Sequence, residues 1–318
     1  MIRRKTVFIL GAGASFPYGY PTGDLLRKDI CSNFEKRIIA LMKKEKWPEL
    51  DINRRSPMFK AFCQTFFNSS TPSIDLFLAR NMGFADIGKL AIVSSILEAE
   101  TKSAFREHMT DISQDWYSYL FKEMTKEMID PESYKNFSSN AISFITFNYD
   151  RSLEQFLYES LRNSFNIAPV DNIIKQVTEI PIYHVYGVVD NLIELGGETP
   201  YRTYYSIDYI NRLIKNIKVV HERNLSEDYL AKMKTVIKEA ARIFFLGFSY
   251  ANENLEVLGL PALLDGNQEI YGTALNFTNK EIKKTQEYLR SNFKVKDPQL
   301  ENPMIVNMDC RMLLRDWL

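Results

Sequence analysis

The sequence predicts an α/β protein: a Rossmann-like doubly wound parallel sheet with an inserted helical subdomain. Three observations lead there. Short runs such as Thr6–Leu10 and Arg242–Leu246 are continuously apolar or nearly so, the pattern of strands buried on both faces. They alternate with segments whose apolar residues recur at helical spacing, the order of a parallel sheet covered on both sides. Between about 47 and 137 β-branched runs are scarce and helical spacing persists, as in Ile74, Phe77 and Leu78 and again in Leu90, Val93, Ile96 and Leu97. Residues 1–46 and 138–318 are therefore assigned to the sheet domain, and 47–137 to a helical insertion.

Each element has its own signal. Thr6–Leu10 is the first strand, and Gly11-Ala12-Gly13-Ala14-Ser15 follows at once. Pro17, Gly19, Pro21 and Gly23 extend that loop before a helix over Asp24–Lys46, with Leu26, Ile30, Phe34 and Ile38 on one face. Trp116–Met128 is amphipathic, and Asp130-Pro131 stops it. Ala141–Phe147 resumes the sheet, and Asn148-Tyr149-Asp150 leads into a helix over Arg151–Arg162. Ile180–Val185, Arg242–Leu246, Glu269–Phe277 and Met304–Met308 read as further strands. Asp208–Lys218, Glu227–Ala241 and Cys310–Leu318 read as helices. Thr278 and Glu281 form a capping-box pattern that opens another helix, to about Ser291.

Composition narrows the function. The 318 residues carry 40 Lys plus Arg against 40 Asp plus Glu, so bulk charge gives no indication of nucleic-acid binding. Cys31, Cys63 and Cys310 are scattered, and no zinc site is expected from them. No window approaches the ~20 apolar residues that span a bilayer. A soluble, cytoplasmic protein is expected.

The residues that could carry chemistry fall at strand ends. Gly11, Ala12, Gly13 and Ser15 would let a backbone approach a diphosphate at a helix start. Phe16 stands where a full dinucleotide fingerprint has its third glycine, and a purely structural tight turn fits Gly-Ala-Gly equally well. Thr146, Asn148 and Asp150 lie beyond the next strand, where doubly wound sheets bind ligands, although Asp150 could simply cap the helix that follows. Of three histidines, His108 and His221 lie in helical stretches, and only His184 sits at a strand end before a glycine. Gly247-Phe248-Ser249 follows a later strand and Asn276 lies near the end of Glu269–Phe277, and both equally suit ordinary loop chemistry.

Taken together these segments resemble the sirtuin superfamily. Gly11-Ala-Gly-Ala-Ser15 is similar to its Gly-Ala-Gly-x-Ser turn, and Gly19-Tyr-Pro21 to its Gly-Ile-Pro. Thr146-Phe-Asn148-Tyr-Asp150 resembles its Thr-Gln-Asn-x-Asp, and Gly247-Phe-Ser249 its Gly-Thr-Ser. Asn276 and the closing Asp309-Cys310 helix fit later segments. The insertion is not covered. Thr22-Gly23-Asp24 replaces the Asp-Phe-Arg of protein deacylases, and the four zinc cysteines are missing. The chain is thus more similar to the bacterial sirtuin-like NAD hydrolases of anti-phage defence.

That resemblance implies NAD as substrate and cleavage of its nicotinamide–ribose bond, to give nicotinamide and ADP-ribose. It implies Asn148, His184 and Asp150 as catalytic residues. His184 would act as general base, with Tyr186 as the substitute because it holds the place directly before Gly187. Gly11, Ala12, Gly13, Ser15, Pro21, Thr146, Gly247, Ser249 and Asn276 would hold the dinucleotide. Nicotinamide leaves neutral through an oxocarbenium-like transition state, so a held ribose and polar groups facing the developing charge suffice. Homo-oligomers and a partner such as a HerA-like DNA translocase are also implied. A non-catalytic NAD or ADP-ribose sensor, an oligomeric scaffold and a protein deacylase are the alternatives.

Overall fold

The structure, a computed structural model, describes residues 1–71, 73–102, 112–219, 226–293 and 302–318. His108 and His221 lie outside the described residues. The chain opens with β1 (Thr6–Leu10), the short α1 (Ala12–Ser15) and the long α2 (Gly23–Lys44). Helices α3 (Glu49–Asn68), α4 (Ile74–Arg80), α5 (Ala85–Lys102) and α6 (Trp116–Thr125) follow before β2 (Ile142–Thr146). Then come α7 (Ser152–Ser164), α8 (Val170–Thr178), β3 (Ile182–His184), α9 (Ile207–Leu213), α10 (Glu227–Glu239) and β4 (Arg242–Leu246). The chain closes with α11 (Asn252–Leu258), β5 (Glu269–Thr273), α12 (Asn279–Arg290), β6 (Met304–Val306) and α13 (Cys310–Trp317).

The strands form one sheet in the order β3-β2-β1-β4-β5-β6, and every pairing is parallel. This is the doubly wound Rossmann order, with its reversal beside β1. All residues of β1 and β4 are buried, as continuous apolar runs require. Register lines up an aromatic rib across the sheet. Phe8 stacks on Phe144 at 5.3 Å and on Phe244 at 5.5 Å, and Phe244 stacks on Tyr271 at 5.0 Å. Each such pair contributes about 0.5–1.5 kcal/mol beyond its buried area.

Several boundaries differ from the sequence-based expectation. The fifth strand stops at Thr273, because Asn276 adopts φ 67°, a left-handed conformation no strand continues through. The third strand is three residues of intermediate exposure, not six. The helix from Ile207 ends at Leu213 instead of Lys218, and that from Trp116 ends at Thr125, ahead of Pro131. The turn after β1 is itself helical over Ala12–Ser15 and continues as a 3-10 turn over Phe16–Tyr18, closed by Gly19 at φ 90°. The capping box at Thr278 and Glu281 forms as the sequence predicts.

The stretch between α2 and β2 shares the hydrophobic core of the sheet. Phe62 and Phe66 are fully buried, with Phe62 packing edge-on against Phe34 at 5.8 Å, while Phe67 is exposed. Among the described residues, no helix is long and apolar enough to cross a membrane.

Candidate active site

The turn after β1 is built by backbone contact. Gly11 donates its N–H to Leu246 O, and Gly13 donates to Gly247 O at 3.0 Å. A Cβ on Gly11 would lie 2.5 Å from Gly247 O, and one on Gly247 would lie 2.1 Å from the Ala14 nitrogen. Gly247 also has φ 56°. These glycines are therefore required for two loops to touch each other. The close approach that the sequence motif suggests toward a ligand is used, at these atoms, between β1 and β4. Gly247 N–H donates to the Thr273 hydroxyl, so the next strand end supports the same junction.

Asn148 ties the end of β2 to this turn. Its side-chain amide donates to Gly11 O at 3.0 Å and to Ser15 Oγ at 2.9 Å. Its backbone N–H donates to Thr146 Oγ1. Asn148 is 8% exposed, and its Oδ1 is buried without a hydrogen-bond partner. A buried acceptor left unmade costs about 1–3 kcal/mol, so this atom awaits a donor.

Asp150 lies deeper than its motif suggests. It is buried, and its Oδ1 accepts from the backbone N–H and the hydroxyl of Ser152. Burial pushes its carboxyl above the usual carboxylate range, against the lowering pull of the Ser152 and Ser15 hydrogen bonds. The chain Asp150–Ser152 continues to Tyr117 of α6, whose hydroxyl lies 2.9 Å from Ser152 Oγ. Residue 151 is the structural N-cap of α7, so Asp150 braces the helix start from one position outside it.

His184 ends β3, paired in register with Thr146. Its Nδ1 lies 3.2 Å from Asn148 O, and its Nε2 lies 2.6 Å from Glu154 Oε1 on α7. Burial lowers the histidine pKa, but Glu154 outweighs it by charge and hydrogen bonding, with Asn148 O adding, and the balance lies above the usual value. Glu154 lies in no motif that marks it in the sequence. Tyr186 lies beyond the strand, donates its hydroxyl to Asn254 Oδ1 at 2.7 Å and packs on Phe147.

Thus Gly11, Ser15, Thr146, Asn148, Asp150 and His184 come together. Ala12 and Gly13 belong to the same turn, with Gly247 packed against Gly13. Pro21 is half-buried just before α2. Ser249 and Asn276 are exposed, and Asn276 donates its backbone N–H to Asn307 on the β5–β6 side. At a strand spacing near 4.8 Å, four steps separate β3 from β5, so the ends of these two strands lie about 19 Å apart. A ligand contacting both His184 and Asn276 has to be long, as a dinucleotide is.

The helical stretch supplies the walls. Trp116 donates its indole N–H to Ala14 O at 2.8 Å, and Tyr149 donates its hydroxyl to Asp75 at 2.8 Å. Arg151, 1% exposed, is forked onto Glu100 of α5 and also donates to the carbonyls of Asn191, Thr199 and Pro200. Among the described residues no group of three or more His, Cys, Asp or Glu is placed to hold a metal ion.

No protein-family model and no curated protein matches this chain. Two solved structures overlap it at low similarity. One is Sir2Tm bound to a propionylated peptide, at 12% identity and TM-score 0.37, covering 98% of this chain and 91% of that one. The other is a SIR2 in complex with the inhibitor EX-527, 2'-O-acetyl-ADP-ribose and deacetylated p53-peptide, at 13% identity and TM-score 0.37, covering 98% and 92%.

Proposed function

We propose that this chain is a sirtuin-like NAD hydrolase that cleaves the nicotinamide–ribose bond. The observation that carries the reading is the buried, unpartnered Oδ1 of Asn148, held beside the Gly11–Ser15 turn at the carboxyl ends of β1 and β2. An acceptor there suits a ribose hydroxyl or the attacking water. Ala12 and Ser15 would hold the diphosphate, with Gly11, Gly13, Pro21, Thr146 and Gly247 shaping the turn that presents them. Ser249 and Asn276 would take the adenosine end. Asp150 would face the charge that develops as nicotinamide departs. The side chains of Asn148 and Asp150 are buried in this state, so NAD entry requires the strand-end loops to open.

Within the same reading, residues 47–137 act as an insertion on a sheet domain of residues 1–46 and 138–318. The chain works as a cytoplasmic homo-oligomer, depletes NAD in anti-phage defence and is switched by a partner such as a HerA-like translocase. The decisive assay is nicotinamide release from NAD by the purified protein. Asn148→Ala should lower it at least a hundredfold with the fold unchanged by circular dichroism. Wild-type turnover in that variant would end the proposal. Binding of NAD with no nicotinamide release by the wild type would favour the non-catalytic sensor instead.

A further inference from the structure

We propose that Glu154 is a positioning residue that holds His184 as an imidazolium whose two N–H groups are both committed to the protein. Nδ1 faces the carbonyl oxygen of Asn148 at 3.2 Å, and a carbonyl can only accept, so Nδ1 carries a hydrogen. Nε2 faces Glu154 Oε1 at 2.6 Å, and the proton between them sits on the stronger base, which of an imidazole and a carboxylate is the imidazole, so Nε2 carries one too. A ring with a hydrogen on each nitrogen is a cation and has no lone pair to offer.

The surroundings agree. His184 and Glu154 side chains are 12% and 16% exposed, so the pair is little screened by water. Asp150, across the Asn148–Asp150 segment, adds a second negative group. From α10, Tyr229 donates its hydroxyl to the His184 carbonyl and packs edge-on against Tyr183, fixing the strand end.

This inference rests on the hydrolase reading for its catalytic meaning, and it replaces the general-base role that the family resemblance implies for His184. A histidine held this way enters the reaction as a fixed charge, not as a general base. The carbonyl of Asn148 that it grips belongs to the residue whose Oδ1 is open. Glu154 thereby sets the orientation of Asn148 through His184, without contacting a ligand itself.

The test is Glu154→Gln, which keeps the size and a hydrogen-bonding end but removes the charge. With three histidines in the chain, His184 can be assigned by comparing the imidazole proton spectrum with that of His184→Gln. In Glu154→Gln the His184 titration midpoint should fall by about 1–3 pH units, the size of a close charge partner's effect. Nicotinamide release should lose activity at its alkaline limb in parallel, and Glu154→Asp should restore part of both. An unchanged His184 midpoint in a folded Glu154→Gln protein would overturn the inference. Should the wild type release no nicotinamide, the hydrolase reading fails while the titration still judges the proton count.

Discussion

Removing the guanidinium of Arg151 is the sharpest test of how the site is held. This side chain is 1% exposed and donates to both carboxylate oxygens of Glu100, at 3.0 and 2.8 Å, and to three backbone carbonyls. Arg151→Met keeps much of the volume but strands the Glu100 carboxylate, itself 2% exposed in its side chain. Breaking a buried pair from one side costs about 3–5 kcal/mol, because the remaining charge has no water. In a protein of this size that lowers the thermal midpoint by roughly 6 °C. Urea unfolding followed by circular dichroism reads the loss directly. The double variant Arg151→Met with Glu100→Met removes both charges and should recover a large part of it, leaving as the residual cost the three carbonyls, the Arg202 N–H that Glu100 accepts and Asp190, 3.8 Å from the guanidinium. A single variant that loses less than about 1 kcal/mol, or a double that is no better than the single, would refute the claim that the pair is a buried, mutually dependent unit.

Two further outcomes follow from neighbouring residues. Burial pushes the Asp75 carboxyl up to about 6, against the hydrogen bond from Tyr149, with Glu253 adding to the rise. The folded state thus holds a proton that the unfolded chain releases near pH 4, so Asp75 favours folding below that pH, and this advantage is lost as pH rises toward 6. Asp75→Asn should flatten stability between pH 4 and 6 and raise it at pH 7 by about 1–3 kcal/mol, and an unchanged pH profile in urea unfolding would contradict the assignment. Gly247→Ala places a methyl 2.1 Å from the Ala14 nitrogen and 2.2 Å from the Gly13 carbonyl carbon, at φ 56°. It should cost more than about 4 kcal/mol or abolish soluble expression, and near-wild-type stability would mean the two loops are not in contact as described.

The sheet was legible because its strands are buried on both faces and therefore spell themselves out as apolar runs. Thr6–Leu10 and Arg242–Leu246 were bounded to the residue. Ile182–His184 was blurred, since a three-residue edge strand of intermediate exposure has little pattern to read. Helix α8 has little to mark it in the sequence, its nine residues lying after Pro169 in a mixed polar stretch. Within the candidate site, the glycine turn and Asn148 stood out by spacing and strand-end position. Glu154 did not, because an acid in the first turn of a helix already has an ordinary reason to be there. Its one distinguishing sign is the i, i+4 spacing from Asp150, and its partner is thirty residues away on another strand. Trp116, Asp75 and Glu100 were hidden for the same reason: their partners are reached only through folding, and each looks locally like part of an amphipathic helix.

The anchoring of Trp116 on Ala14 gives the helical stretch a standing unlike that of a surface decoration. An added loop can usually be trimmed back to a short turn, since the parent scaffold was finished before it arrived. Here trimming would uncover a carbonyl of the turn after β1, orphan Arg151 from Glu100 and take Tyr117 away from Ser152. The candidate site at the strand ends is complete only when both stretches of the chain are present. Any partner that shifts the outer helices therefore has a mechanical handle on the residues beneath them.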